Sequence, residues 1–137
     1  MADIVEIFRL LVVVFLVLQG IGHVIWFLAA WTPIKAGISD GAWLLPGDFN
    51  ITSVPGKIVG LVALLVLVLF VLSALALLAG EPWWRGSTQM AAFLSLLAIF
   101  PFARVSPRSN AMNAILADLA LLFLIALPLS VEFIESS

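Results

Sequence analysis

His23 and Asp118 are the only ionisable side chains inside the long apolar runs of this sequence. An imidazole and a carboxylate brought together can share a proton, and each can hydrogen-bond a polar ligand atom. Ionisable groups in apolar surroundings are costly, which makes them functional candidates by default. Their neighbours support the reading. Gln19, His23, Trp26 and Ala30 recur at i, i+4, i+7 and i+11, one face of a helix, with Gly22 alongside. Ala111, Ala114, Asp118 and Leu122 form a matching stripe, and Ser95 lies in the apolar run between them. Small residues beside polar ones let helices approach closely and hydrogen-bond to one another. The implied chemistry is a small polar chamber, in which a carboxylate orients an imidazole toward a quinone carbonyl, a sterol hydroxyl or a proton in transit. A plainer alternative is that the pair only holds two helices in register. One Asp and one His are a sparse set, and no catalytic residue is assigned.

Other chemistries are closed to the chain acting alone. It has no cysteine, no tyrosine and a single histidine. Thiol redox, iron–sulfur clusters, bis-histidine haem and multi-histidine metal sites are therefore out of reach within one subunit. Among cofactors, a quinone or a lipid stays open.

The elements that must position these residues follow from composition. Of 137 residues, 64% are hydrophobic and 10% charged, and the mean hydropathy is +1.27. Soluble domains run near roughly 45–50% apolar and 25% charged. A globule of this size has too little interior for so many apolar side chains. A cytosolic enzyme and a disordered tail are excluded. The net charge of −2 rests on scattered residues, so no phosphate-binding patch forms and no nucleic-acid partner is expected. The chain reads as one integral membrane domain over residues 1–137, with the lipid bilayer as its solvent.

Charges mark the span boundaries. No formal charge falls between Arg9 and Lys35, between Lys57 and Glu81, or between Arg85 and Arg104, and only Asp118 falls between Arg108 and Glu132. Each gap accommodates the roughly 17–25 apolar residues of a crossing helix. Backbone groups must be satisfied internally in lipid, so the runs are helices. The expected fold is all-α: a four-transmembrane-helix up-down bundle, with helices over 4–30, 55–80, 87–103 and 111–131. His23 and Asp118 then lie about 10–12 Å inside helix ends that face the same side. At matching depth on adjacent helices, they are expected to hydrogen-bond or ion-pair.

Local signals agree with these boundaries. Thr52, Ser53 and Pro55 open the second helix, and Gly80 followed by Pro82 ends it. Ser87 or Thr88 is expected to cap the third. Pro101 stands near that helix's end and Pro107 in the next connection. Gly56-x-x-x-Gly60 and the stripe Ser73, Ala76, Gly80 mark a helix-packing face on the second helix, joined by Gly22 and Ala114 on the first and fourth. Trp26, Trp31, Trp43, Trp83 and Trp84 are expected near the membrane interface, and Glu6 with Arg9 is expected to snorkel from a lipid-facing position. The first loop, about 31–53, is the long one; Trp43, Leu44 and Leu45 can fold back into the interface there. Asn50-Ile51-Thr52 matches a glycosylation sequon. The N-terminal run lacks a positive n-region and exceeds an h-region in length, so it is expected to stay as the first span without cleavage.

Several of these residues form a familiar pattern. Gly20-Ile21-Gly22-His23, the Trp43-Leu44-Leu45 loop, Trp83-Trp84-Arg85 and the stretch from Asn113 to Asp118 together resemble the DoxX-like group. The likeness covers nearly the whole chain through short, apolar motifs. It implies a four-helix bundle in a prokaryotic plasma (inner) membrane with cytoplasmic termini. Some relatives are linked as membrane subunits to quinone-dependent sulfur oxidation, others to redox-stress complexes with soluble partners. No catalytic motif carries over. On orientation the charges lean the opposite way: two basic residues (Arg9, Arg85) lie on the side of the termini and four (Lys35, Lys57, Arg104, Arg108) on the other.

Two functions compete. The first is a non-catalytic accessory or scaffold subunit of a larger membrane assembly, with protein partners or further copies of itself. Short loops and the lack of a catalytic set favour it. The second is a quinone- or lipid-binding protein, the membrane partner of a redox enzyme, with its site at His23, Asp118, Gln19, Trp26 and Ser95. A proton or solute conduit would need polar residues at several depths, and helix two offers only Ser73.

Overall fold

A computed structural model describes residues 3–33, 53–100, 110–127, 132, 134 and 135, with side chains from Asn113 onward in the last helix. The Trp43-Leu44-Leu45 loop, the Asn50 sequon, Thr52, Pro101, Arg104, Pro107 and the side chain of Ala111 lie outside the described residues. The fold is all-helical, with no strand among the described residues. Its helices are α1 (Ile4–Gly22), α2 (Val24–Trp31), α3 (Val54–Leu78), α4 (Trp84–Ile99) and α5 (Asn110–Ala126). α1 and α2 continue one another, so four helical rods pack together.

The continuous first helix expected over 4–30 is broken at His23. Its backbone N–H turns to Gly20 O and Ile21 O instead of the Gln19 carbonyl four residues back. The freed Gln19 carbonyl is taken by the His23 ring, Nδ1 to O at 2.6 Å. A side chain has entered the helical ladder, at a place where Gly20 and Gly22 weaken helix propensity.

Elsewhere the ends are set by caps. Ser53 Oγ accepts from Gly56 N at 3.3 Å and Pro55 occupies the first turn of α3. At the other end Gly80 takes φ +74°, Gly80 N bonds Leu77 O, and Glu81 N bonds Ala76 O. That is a Schellman closure, which requires a left-handed residue at Gly80. The expected cap of the third helix needs correction. α4 starts at Trp84, and Ser87 and Thr88 lie inside its first turns, donating back to the carbonyls of Trp83 and Trp84. Lying inside the helix and past the N-cap, these hydroxyls are not placed to accept from its free first-turn N–H groups. α5 ends at Ala126, short of the expected residue 131, two residues before Pro128 in the sequence.

α3 is the axis of the bundle. It packs against α1, α2 and α4, while α4 packs on α5 and α1 touches α5 to close the ring. Two close approaches fix the crossings. A Cβ on Gly60 would stand 2.8 Å from Ala30 Cβ, and one on Gly20 would stand 3.2 Å from both Leu67 O and Phe70 Cβ. Phe70, Val66, Leu16 and Trp84 fill the larger core cluster, and Trp26, Ala63 and Ile99 the smaller.

The first turns of α1, Glu135 and the α3–α4 turn meet at one end of the bundle. Arg9 donates to Leu78 O at 2.8 Å, placing a cation at the carbonyl end of α3. The guanidinium there satisfies a free carbonyl at the helix terminus. Glu135 accepts from Trp84 Nε1 at 3.0 Å and pairs with Arg85 at 3.1 Å. The tryptophans also depart from a uniform interfacial belt. Trp26 and Trp84 are buried in the core, whereas Trp31 and Trp83 are about half exposed. Trp31 donates to Lys57 O at 3.0 Å, with the Lys57 ammonium 5.3 Å over its ring. By length and composition, two helices are long and apolar enough to cross a membrane: Ile4–Trp31 and Val54–Leu78.

Candidate functional site

The break in the first helix builds the site. Because the Gln19 carbonyl can only accept, His23 Nδ1 must carry the proton and donate to it. In the neutral ring Nε2 is then an acceptor, and it lies 2.7 Å from Ser95 Oγ on α4. The Ser95 proton is therefore spent on His23. On α5, Asp118 Oδ1 accepts from Gln19 Nε2 at 2.9 Å, and the same amide nitrogen reaches Ala114 O at 3.4 Å. Two acceptors around that nitrogen settle the orientation of the Gln19 amide.

His23 and Asp118 thus face one another through intermediaries. The expected direct hydrogen bond or ion pair is replaced by bridges, since the imidazole has Gln19 O and Ser95 Oγ as partners, and Asp118 Oδ1 has Gln19. Ser95 also lies beside the Asp118 carboxyl. Having given its one proton to His23, it has none left to donate there. Asp118 Oδ2 accordingly has no hydrogen-bond partner among the described residues, although Asp118 is fully buried. Buried polar atoms without partners are rare, and this one follows from proton bookkeeping in the ring.

A cavity of about 180 Å³ opens against this network, lined by Gln19, Gly22, His23, Ile25, Trp26, Asn113 and Ala114. Gly22 and Asn113 are exposed at its rim. The structure therefore brings Gln19, His23 and Trp26 to the cavity wall. Ser95 and Asp118 stand behind that wall, fully buried, and do not line it.

The small residues divide in the same way. Gly60 lies at a tight crossing, Gly56, Ser73 and Ala76 are buried on α3, and Ala114 packs on the smaller core cluster. Gly22 and Gly80 are outside the helix interfaces: a Cβ on either would meet nothing within 4 Å. Gly80 serves the turn, and Gly22 leaves the cavity open. Two residues were missed by sequence reasoning. Gly20 makes the α1–α3 crossing, where a Cβ would meet Leu67 O and Phe70 Cβ. Ile25 lines the cavity, which only the approach of α5 to the helix break reveals, while Asn113, near the rim by its position in the sequence, is exposed at the cavity's rim. Ser73 Oγ bonds Leu69 O and meets Ser87 Oγ at 2.6 Å, a polar contact between α3 and α4 away from the cavity.

No protein-family model matches this chain, and no curated protein or solved structure matches it either.

Proposed function

We propose that this chain is a small membrane-spanning bundle that holds the head of a quinone- or lipid-like molecule in the cleft between α1–α2 and α5. The observation that carries the reading is the cavity built against a buried polar network, where Gln19 and His23 meet apolar Trp26 and Ile25. At about 180 Å³ the space is smaller than the roughly 300–1,000 Å³ of pockets for whole drug-sized ligands. It suits a head group whose tail stays outside, in lipid.

The bilayer supplies that tail's environment. On α1, Ile4, Ile7, Leu11, Val14, Leu18 and Ile21 are all exposed, at steps of three and four residues. Leu61, Leu65, Val68, Leu72 and Leu75 do the same on α3. Buried core helices of a soluble protein would turn such residues inward, but only 22% and 39% of the two long helices' apolar windows are buried. Outward apolar faces around buried His23, Ser73, Thr88, Ser95 and Asp118 match a protein dissolved in lipid. On this reading α4 and α5 cross as well, and the likeness to DoxX-like proteins supports placing the bundle in a prokaryotic plasma membrane.

The test compares wild type with Gly22→Leu by native mass spectrometry of protein extracted from its own membranes. Gly22 is exposed at the rim, so the larger side chain fills the cleft without meeting the core. Wild type is expected to retain a small lipophilic molecule that Gly22→Leu loses at unchanged helicity. Protein subunits co-purifying with no such molecule would overturn binding, and would make the chain a non-catalytic accessory subunit.

A further inference from the structure

The bonds around the cleft bear on the polarity of the ligand atom it accepts; this rests on the binding reading above and narrows it to hydroxyl-bearing heads, a quinol or a lipid alcohol instead of a quinone. His23 offers it nothing, since Nδ1 is bonded to Gln19 O and Nε2 to Ser95 Oγ. The amide nitrogen of Gln19 is likewise committed, to Asp118 Oδ1 and Ala114 O. What remains on Gln19 is Oε1, which has no hydrogen-bond partner among the described residues while its side chain lines the cavity. Behind it stands a second acceptor without a donor, the fully buried Asp118 Oδ2. No Lys or Arg occurs between Arg9 and Lys35 or between Arg108 and the end of α5, so no cation on these helices offsets the carboxyl. Asn113, at the exposed rim, carries the one other side-chain amide.

We infer that the cleft selects a hydrogen-bond donor: the hydroxyl group of an amphipathic alcohol or phenol, accepted by Gln19 Oε1. The wall also carries the indole N–H of Trp26 and the rim the amide of Asn113, but a ligand presenting only a carbonyl or ether oxygen would still leave Gln19 Oε1 without a donor. The imidazole acts as a positioning group. By holding the Gln19 backbone carbonyl and Ser95, it keeps the break in the helix and the cavity that follows from it.

The experiment uses matched probes on the full chain in lipid nanodiscs: 4-nonylphenol and its methyl ether, which differ in the one donor. Binding is read from protection of Asn113→Cys, at the rim, against a maleimide, a readout the cysteine-free sequence makes specific. The phenol is expected to protect about tenfold more strongly than the ether, the scale of one lost hydrogen bond with a stranded acceptor. Gly22→Leu in the same background is expected to abolish protection by both. Equal protection by phenol and ether, still lost in Gly22→Leu, would overturn donor selection and leave the cleft as a binding site. Protection by neither, or protection indifferent to Gly22→Leu, would overturn the binding reading itself. Intact helicity of each variant, by circular dichroism, separates these outcomes from misfolding.

Discussion

A single proton decides the character of the buried site. Ser95 donates it to His23 Nε2, because Nδ1 is already a donor to the Gln19 carbonyl, and the carboxyl of Asp118 goes without. Asparagine at position 118 would keep an acceptor for Gln19 Nε2 and put an N–H₂ group where Oδ2 now lacks a partner, with Ser95 Oγ able to accept. Asp118→Asn is therefore expected to leave stability within about 1 kcal/mol of wild type or raise it. Asp118→Leu strands the Gln19 amide and is expected to cost about 1–3 kcal/mol. Denaturant titration followed by circular dichroism ranks the two, and Asp118→Asn proving the worse would refute the assigned bonding. Ser95→Ala removes the donor to a buried ring nitrogen. Its loss is expected to shrink in a His23→Leu background, since a removed partner cannot be stranded twice.

At the scale of elements, three glycines with one composition do three different jobs. Gly60 lets α2 lie on α3, and a Cβ there would stand 2.8 Å from Ala30 Cβ, too near for either backbone to keep its place. Gly60→Ala is expected to cost about 1–3 kcal/mol through overpacking. Gly80 closes α3 at φ +74°, so Gly80→Ala is expected to cost about 1–2 kcal/mol although the space around it is open. Gly22 has open space and no positive φ. Gly22→Ala is expected to be neutral or to stabilise by up to about 1 kcal/mol. Unfolding midpoints of the three variants check the order. Helix α1–α2 shows why a periodic stripe is an incomplete guide. Gln19, His23 and Trp26 do share a face, yet the ladder between them is interrupted by the very side chain that the stripe singles out.

For the whole molecule, the exposure pattern makes a prediction that composition could not. If the bundle sits in lipid, tryptophans of unequal burial should answer differently to brominated acyl chains. Single-tryptophan variants retaining Trp31 or Trp83 are expected to be quenched strongly, and those retaining Trp26 or Trp84 weakly. Uniform quenching by aqueous acrylamide, with none by bromolipid, would place these faces in water. Much of the architecture was legible beforehand because it depends on local and additive quantities. Apolar runs between charges located the helices, Ser53 with Pro55 and Gly80 marked both ends of α3, and the termini fell on the side of the α3–α4 turn. The site was legible as a set of residue types, Gln19, His23, Trp26, Ser95 and Asp118, but not as a bonding scheme. Which nitrogen meets which oxygen depends on the break at His23 and on the approach of α4 and α5, distances between residues some 70 to 100 positions apart in the chain. The sequence by itself determined an all-helical chain with its polar groups set among apolar ones. The tertiary structure decided that His23 and Asp118 are joined through Gln19 while Ser95 bonds the imidazole, and that Asp118 and Ser95 lie behind the cleft. It did so because a hydrogen bond needs alignment within tenths of an ångström, which no spacing along the chain encodes.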